Sequence, residues 1–205
     1  MTNVLFRTFF VLTLSLELAM RATAIETTAS APAASPTASP AVAPESKLLP
    51  RPLPEIHATI LIPSEWTLLP GNLLEGDVLL ATREKITTEE DPWATGFSMT
   101  VDRIGARESG QKAAAYALGL AKEAREKAGE EASPITESQS GPFHEVRFEF
   151  PLADEQPLLV TEVLRANEET GTVTTIVWRM PKEEADSLRG LRDSILAGVT
   201  LDPKL

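Results

Sequence analysis

The chain has no cysteine and only two histidines, His57 and His144, among 205 residues. A disulfide framework and a thioether-linked lipid are thereby excluded, and a zinc site would have to be built from both histidines plus carboxylates. Basic residues are scarce as well, with 19 Lys and Arg against 30 Asp and Glu and a net charge of −11. Nucleic acid needs a basic footprint, so it is not an expected partner, and anionic membrane surfaces are disfavoured on the same ground. Glycine-rich phosphate loops, a G-x-S-x-G elbow and internal repeats are all missing. No catalytic residue, metal ligand set or cofactor is assigned from the sequence.

What is present begins with an export pattern. Arg7 supplies a positive start, Thr8 to Met20 an apolar core, and Ala22-Thr23-Ala24 the small-x-small motif behind which signal peptidases cut. The apolar run is 13 residues long and interrupted by Glu17, against roughly 20 residues needed to cross a bilayer. Residues 1–24 are therefore expected to be a signal peptide, with an uncleaved anchor as the competing reading. Removing Arg7, Arg21 and Glu17 takes the net charge from −11 to −12. The expected location is secreted or periplasmic, with no stable membrane insertion after cleavage.

Residues 25–54 are rich in Ala, Ser, Thr and Pro, with prolines at 32, 36, 40 and 44 and then at 50, 52 and 54. Lacking an apolar period, this stretch is expected to be a disordered spacer that favours extended polyproline II. Residues 55–205 have the size of one domain.

Periodicity in that domain predicts strands punctuated by two helices. Ile56, Ala58, Ile60 and Ile62 alternate up to Pro63. Val78, Leu80 and Thr82 follow, then Phe97, Met99 and Val101. Ser109 is expected to cap a helix whose stripe is Ala113, Ala117, Leu120 and Ala124 beside Tyr116, stopping at Gly129. After a short strand at 135–138 comes a meander: Val146, Phe148 and Phe150; Leu158 to Leu164; Ile176, Trp178 and Met180. The last two strands are joined by a turn at 167–171. Pro181 opens a second helix with a buried stripe of Ala185, Leu188, Leu191 and Ile195, while Arg189 and Arg192 lie toward its other end. The fold class implied is α+β: an antiparallel sheet of about six or seven strands with two main helices packed on it. Trp66 and Trp178 are expected in or against the core.

The stretch Ile60-Leu61-Ile62-Pro63-Ser64-Glu65-Trp66 resembles the I-x-x-P-x-x-W opening of the PsbP-like superfamily, which includes an extrinsic oxygen-evolving-complex subunit and Ran-binding relatives. The strand Gly96-Phe97-Ser98-Met99-Thr100-Val101, the helix, the meander and the closing helix before Val199-Thr200-Leu201 follow that family's order. The resemblance spans residues 56–201. It implies an α/β/α sandwich and a role in binding or assembly, and it supplies no shared catalytic residue.

For function, the acidic run Glu89-Glu90-Asp91 before Pro92-Trp93 is the best candidate surface. Glu90, Asp91 and Trp93 are taken as the binding residues, because an aromatic on an acidic loop can anchor an interface; the plainer alternatives are a solvated charge run and an indole that plugs the edge of the core. Calcium-loop spacing is absent. His144 shares strand parity with Val146, Phe148 and Phe150 and is expected to play a packing role, the sharper alternative being a general base. His57 is expected at the surface. The sequence thus points to a non-catalytic binding or assembly module with a protein partner in the cell envelope. The alternatives are a hydrolase-type enzyme using His144 with a nearby carboxylate, and a membrane-tethered accessory protein if the signal stays uncut.

Overall fold

The computed structural model describes residues 47–153 and 156–204. The signal peptide assigned to residues 1–24 and most of the spacer lie outside the described residues. Among the described residues nine strands are present: β1 (Leu48–Leu53), β2 (Ala58–Pro63), β3 (Thr67–Leu69), β4 (Leu79–Thr82), β5 (Gly96–Asp102), β6 (Thr136–Ser140), β7 (Phe143–Leu152), β8 (Leu158–Asn167) and β9 (Thr172–Pro181). Three α-helices accompany them: a single turn α1 (Gly105–Glu108), then α2 (Ala113–Ala128) and α3 (Ala185–Ala197). The order β3-β4-β5-β9-β8-β7-β6 forms one seven-stranded antiparallel sheet, and β1 and β2 form a separate ribbon. The α+β class expected from periodicity is the one observed.

Side-chain alternation assigns the two faces of the sheet. Thr161 on β8 and Glu149 on β7 both bond to Arg192 of α3, and Arg165 donates to the Leu196 and Val199 carbonyls at the end of α3, both at 2.9 Å. The alternate residues Val146, Phe148, Val160 and Leu164 therefore face the other side, where α2 packs on β7 and β8. Under α3 and the ribbon lies the main core, with Ile60, Ile62, Phe97, Met99, Val163, Ile176, Trp178, Met180, Ile195 and Leu196. Trp66 and Trp178 are both buried there, with ring centroids 5.7 Å apart.

Helix α2 meets its face of the sheet through Ala113, Ala117, Ala121 and Ala124, all buried. Alanine lets the helix sit close to the strands but gives each turn little apolar area. Leu120, placed in the stripe by the sequence, is only half-buried, and Ala121 takes its position. Ser109 does not start this helix. It closes α1 at the C-terminal end, its hydroxyl donating to the Ala106 carbonyl, and α2 begins after Lys112. Gly129 ends α2 with φ 85°, a conformation that suits glycine.

The spacer boundary also moves. Residues 48–53 fall within the stretch that its prolines mark as spacer, yet they pair with β2 from Leu48↔Pro63 to Leu53↔Ala58. The physical reason is the spacing. Thr59 exchanges both backbone hydrogen bonds with Thr200, at 2.9 and 2.8 Å. Its partner Pro52 therefore occupies a non-hydrogen-bonded position, and so does Pro50, two residues away. A missing N–H on the outer edge of a strand removes nothing from the ladder. Leu53 is buried in the core and Leu48 packs against it.

Candidate functional site

The loop between β4 and β5, residues 83–95, is pinned at its base and braced at its tip. At the base, the Arg83 N–H donates to the Thr95 carbonyl at 2.8 Å, and the Glu84 carboxylate accepts from the Thr95 N–H at 3.1 Å. Arg83 also makes a two-pronged contact with Glu184, at 2.7 and 3.0 Å, next to the start of α3. At the tip, Asp91 Oδ2 accepts from the Thr87 N–H at 2.6 Å, the Thr87 hydroxyl at 2.9 Å and the Thr88 N–H at 3.0 Å. The backbone N–H groups of Thr87 and Thr88, with the Thr87 hydroxyl, hold the Asp91 carboxyl below its ordinary range. Ile86, buried, fastens the middle of the loop.

Trp93 follows this braced tip. It is half-buried, and the Arg179 guanidinium carbon lies 4.5 Å from its ring centroid. Arg179 alternates with the core residues Trp178 and Met180, so it stands on the α2 side of the sheet, and Trp93 is thereby placed there too. Beyond them along β9 and β5 run Val177, Thr175 and Thr100, half-exposed on the same face, because α2 lies chiefly over β7 and β8. The result is a strip with an aromatic and a guanidinium at one end and small side chains along it.

Of the three residues singled out in sequence, Trp93 presents partly open aromatic surface and Glu90, three positions before it in the chain, is exposed. Asp91 does a different job: one of its oxygens is committed to closing the loop. Sequence reasoning does not single out Arg179, although parity with Trp178 and Met180 is enough to put it on the opposite face from the core.

His144 Nε2 lies 3.0 Å from Glu137 Oε2 across the β6–β7 ladder. Among the described residues it has no other hydrogen-bond partner, so no hydroxyl nucleophile is joined to it. Its side chain is 23 % exposed, on the strand parity of Val146 and Phe148. His57 is exposed, with φ 48° at the end of a short turn. Among the described residues no three His, Asp or Glu side chains gather as a metal site, and no helix is long and apolar enough to cross a membrane.

No protein-family model and no curated protein matches the chain. Solved structures do. The chain is similar to cyanobacterial PsbP from Synechocystis sp. PCC 6803. Identity is 12 % over 82 % of this chain and 100 % of that one, with a TM-score of 0.49. It is also similar to the Saccharomyces cerevisiae Ran-binding protein Mog1p, 12 % identical over 77 % of this chain and 96 % of that one, with a TM-score of 0.45. A Pseudomonas aeruginosa protein of unknown function is 12 % identical over 73 % and 93 %, with a TM-score of 0.44. The first two bear names found in the family named by the resemblance at Ile60 to Trp66.

Proposed function

We propose that this chain is a non-catalytic binding module exported to the cell envelope, and that it captures a protein partner through Trp93, with Glu90 at the rim. The observation that carries this reading is the half-exposed indole held against Arg179 on a loop fastened at both base and tip. An aromatic fixed in place loses little conformational freedom on contact, which is what an interface anchor requires. Trp93→Ala should weaken partner capture from an envelope extract roughly thirtyfold, the equivalent of about 2 kcal/mol. Loss of its packing against Arg179 should lower stability by only about 1 kcal/mol. His144→Gln should capture as the parent does. Equal capture by the Trp93 variant removes the proposal.

A hydrolase-type reading has one observation in its favour, the His144–Glu137 contact, since a carboxylate can orient an imidazole as a base. It predicts that His144→Gln folds normally and loses an assayed hydrolysis, an outcome that would replace the binding reading.

Export makes its own prediction. The mature protein should begin at Ile25, as intact mass from an envelope fraction would record. A protein still beginning at Met1 and released only by detergent would favour the membrane-tethered accessory instead.

A further inference from the structure

Glu162 lies on β8, a strand paired on both sides, and is 3 % exposed. In register it stands between Phe148 on β7 and Val177 on β9. Its parity is that of Val160 and Leu164, so it faces α2, whose buried residues are all alanine. Among the described residues its carboxyl makes no hydrogen bond and no ion pair. A carboxyl so placed is tolerable while protonated and costly once charged.

The surroundings offer it no compensating charge. From β7 it is faced by Phe148, with Val146 and Phe150 on the diagonals, while Arg147 and Glu149 alternate to the α3 side. From β9 it is faced by Val177, with Thr175 and Arg179 diagonal, and the Arg179 guanidinium carbon is 4.5 Å from the Trp93 ring centroid. Along α2, Lys122, Glu123, Glu126 and Lys127 are exposed, with Lys127 bound to Glu123 at 2.8 Å. Arg125 is spent on the Ser133 and Ala132 carbonyls at 2.8 and 3.2 Å. Tyr116 donates to Asp102 at 3.0 Å, and burial, then the Asp102 charge, pushes its pKa up to about 12, so it stays neutral in the range that matters. His144 stands four residues from Phe148 along β7, with Glu137 beside it.

We infer that α2 is a pH-controlled cover: it lies down on β7 and β8 while Glu162 is protonated, and lifts when Glu162 ionises. Release is favoured by the thin alanine contact and by fastenings concentrated toward the helix ends, at Tyr116 and Arg125. Lifting hydrates the carboxylate and uncovers Phe148, Val160 and Leu164 beside the Val177–Thr175 strip. This stands independently of the role proposed for Trp93.

Burial raises the Glu162 carboxyl from 4.5 to about 7. A raised acid favours the closed state below its ordinary value, and that preference is lost as pH climbs from about 4.5 to about 7, with no further change above. Between pH 5.5 and 8.5 the open fraction should grow about thirtyfold on those two values. The experiment is hydrogen exchange on the full chain at both pH values, corrected for intrinsic rates, for the parent, Glu162→Gln and Glu162→Leu. In the parent, protection of residues 113–128 should fall by that factor while β5 and β9 hold theirs, and in either variant the fall should vanish. The leucine variant serves if the glutamine variant does not fold. Unchanged α2 protection in the parent, the same fall in a folded variant, or a loss shared equally by β5 and β9 would each overturn the inference.

Discussion

Trp178→Ala is expected to cost on the order of 3–5 kcal/mol in equilibrium urea unfolding, a large share of the stability of a domain this size. The indole is fully buried, stacked 6.3 Å from Phe97 on the neighbouring strand and 5.7 Å from Trp66. Trp66 arrives from the turn after β2, so one side chain joins the ribbon region to the sheet. Removing it leaves a cavity that the paired strands β5, β8 and β9 cannot close. Trp178→Phe should lose less than half as much, because the indole Nε1 has no hydrogen-bond partner among the described residues and its removal forfeits no bond. A loss below about 1 kcal/mol for the alanine variant would mean that the β9 side chains face the opposite way, with Trp178 turned out of the core.

Arg192→Ala should be of similar size, on the order of 3–5 kcal/mol, for an electrostatic reason. The guanidinium is 2 % exposed and bonds to Glu149, to the Thr161 hydroxyl at 3.0 Å and to Asp193 at 3.0 Å. Taking it away leaves the Glu149 carboxylate without its closest cation under α3, with Arg147 at 3.6 Å and Arg189 at 3.9 Å. Arg192→Met together with Glu149→Leu removes both charges and should recover much of the loss. If the double variant is as unstable as the single one, packing and not charge pairing dominates. The acid limb should change too. Partial burial works to raise the Asp193 carboxyl, but hydrogen bonds from Arg147 and Arg192 outweigh it and the net shift is downward. A lowered acid contributes stability above its ordinary value and loses it as pH falls, so Arg192 variants should show a flatter decline on acidification.

How far the fold can be read depends on whether burial follows a simple period. Strands β5, β7 and β9 alternate apolar with polar residues, and the structure builds them where that alternation runs; β2 begins at Ala58, two residues after its expected start, because Ile56 closes a short turn before it. Asn167 to Gly171 is legible as a turn because it needs a left-handed residue, and Gly171 supplies it at φ 74°. Ser109 misleads because a hydroxyl that can start a helix can equally close the one before it. Arg192 is not legible as a core residue: on a helical wheel it sits beside the apolar stripe like any solvated arginine. Its burial is made tolerable by Glu149 and Thr161, some forty and thirty positions away, together with the adjacent Asp193. Glu162 is hidden for the converse reason, since nothing in Thr161-Glu162-Val163 marks a carboxyl with no counterpart. At the candidate site, Trp93 can be named from its loop, whereas its contact with Arg179 requires knowing which strand lies beside β5.

The β1–β2 ribbon carries a consequence for association. A free two-stranded ribbon would ordinarily invite a third strand from another chain, the first step of sheet-to-sheet aggregation. In this fold Thr200 occupies the far side of β2 at Thr59, and along the outside of β1 the donors of positions 50 and 52 are replaced by proline rings. An incoming strand would find acceptors without their alternating donors along β1, and on the β2 side it would meet the Thr59 position already taken by Thr200.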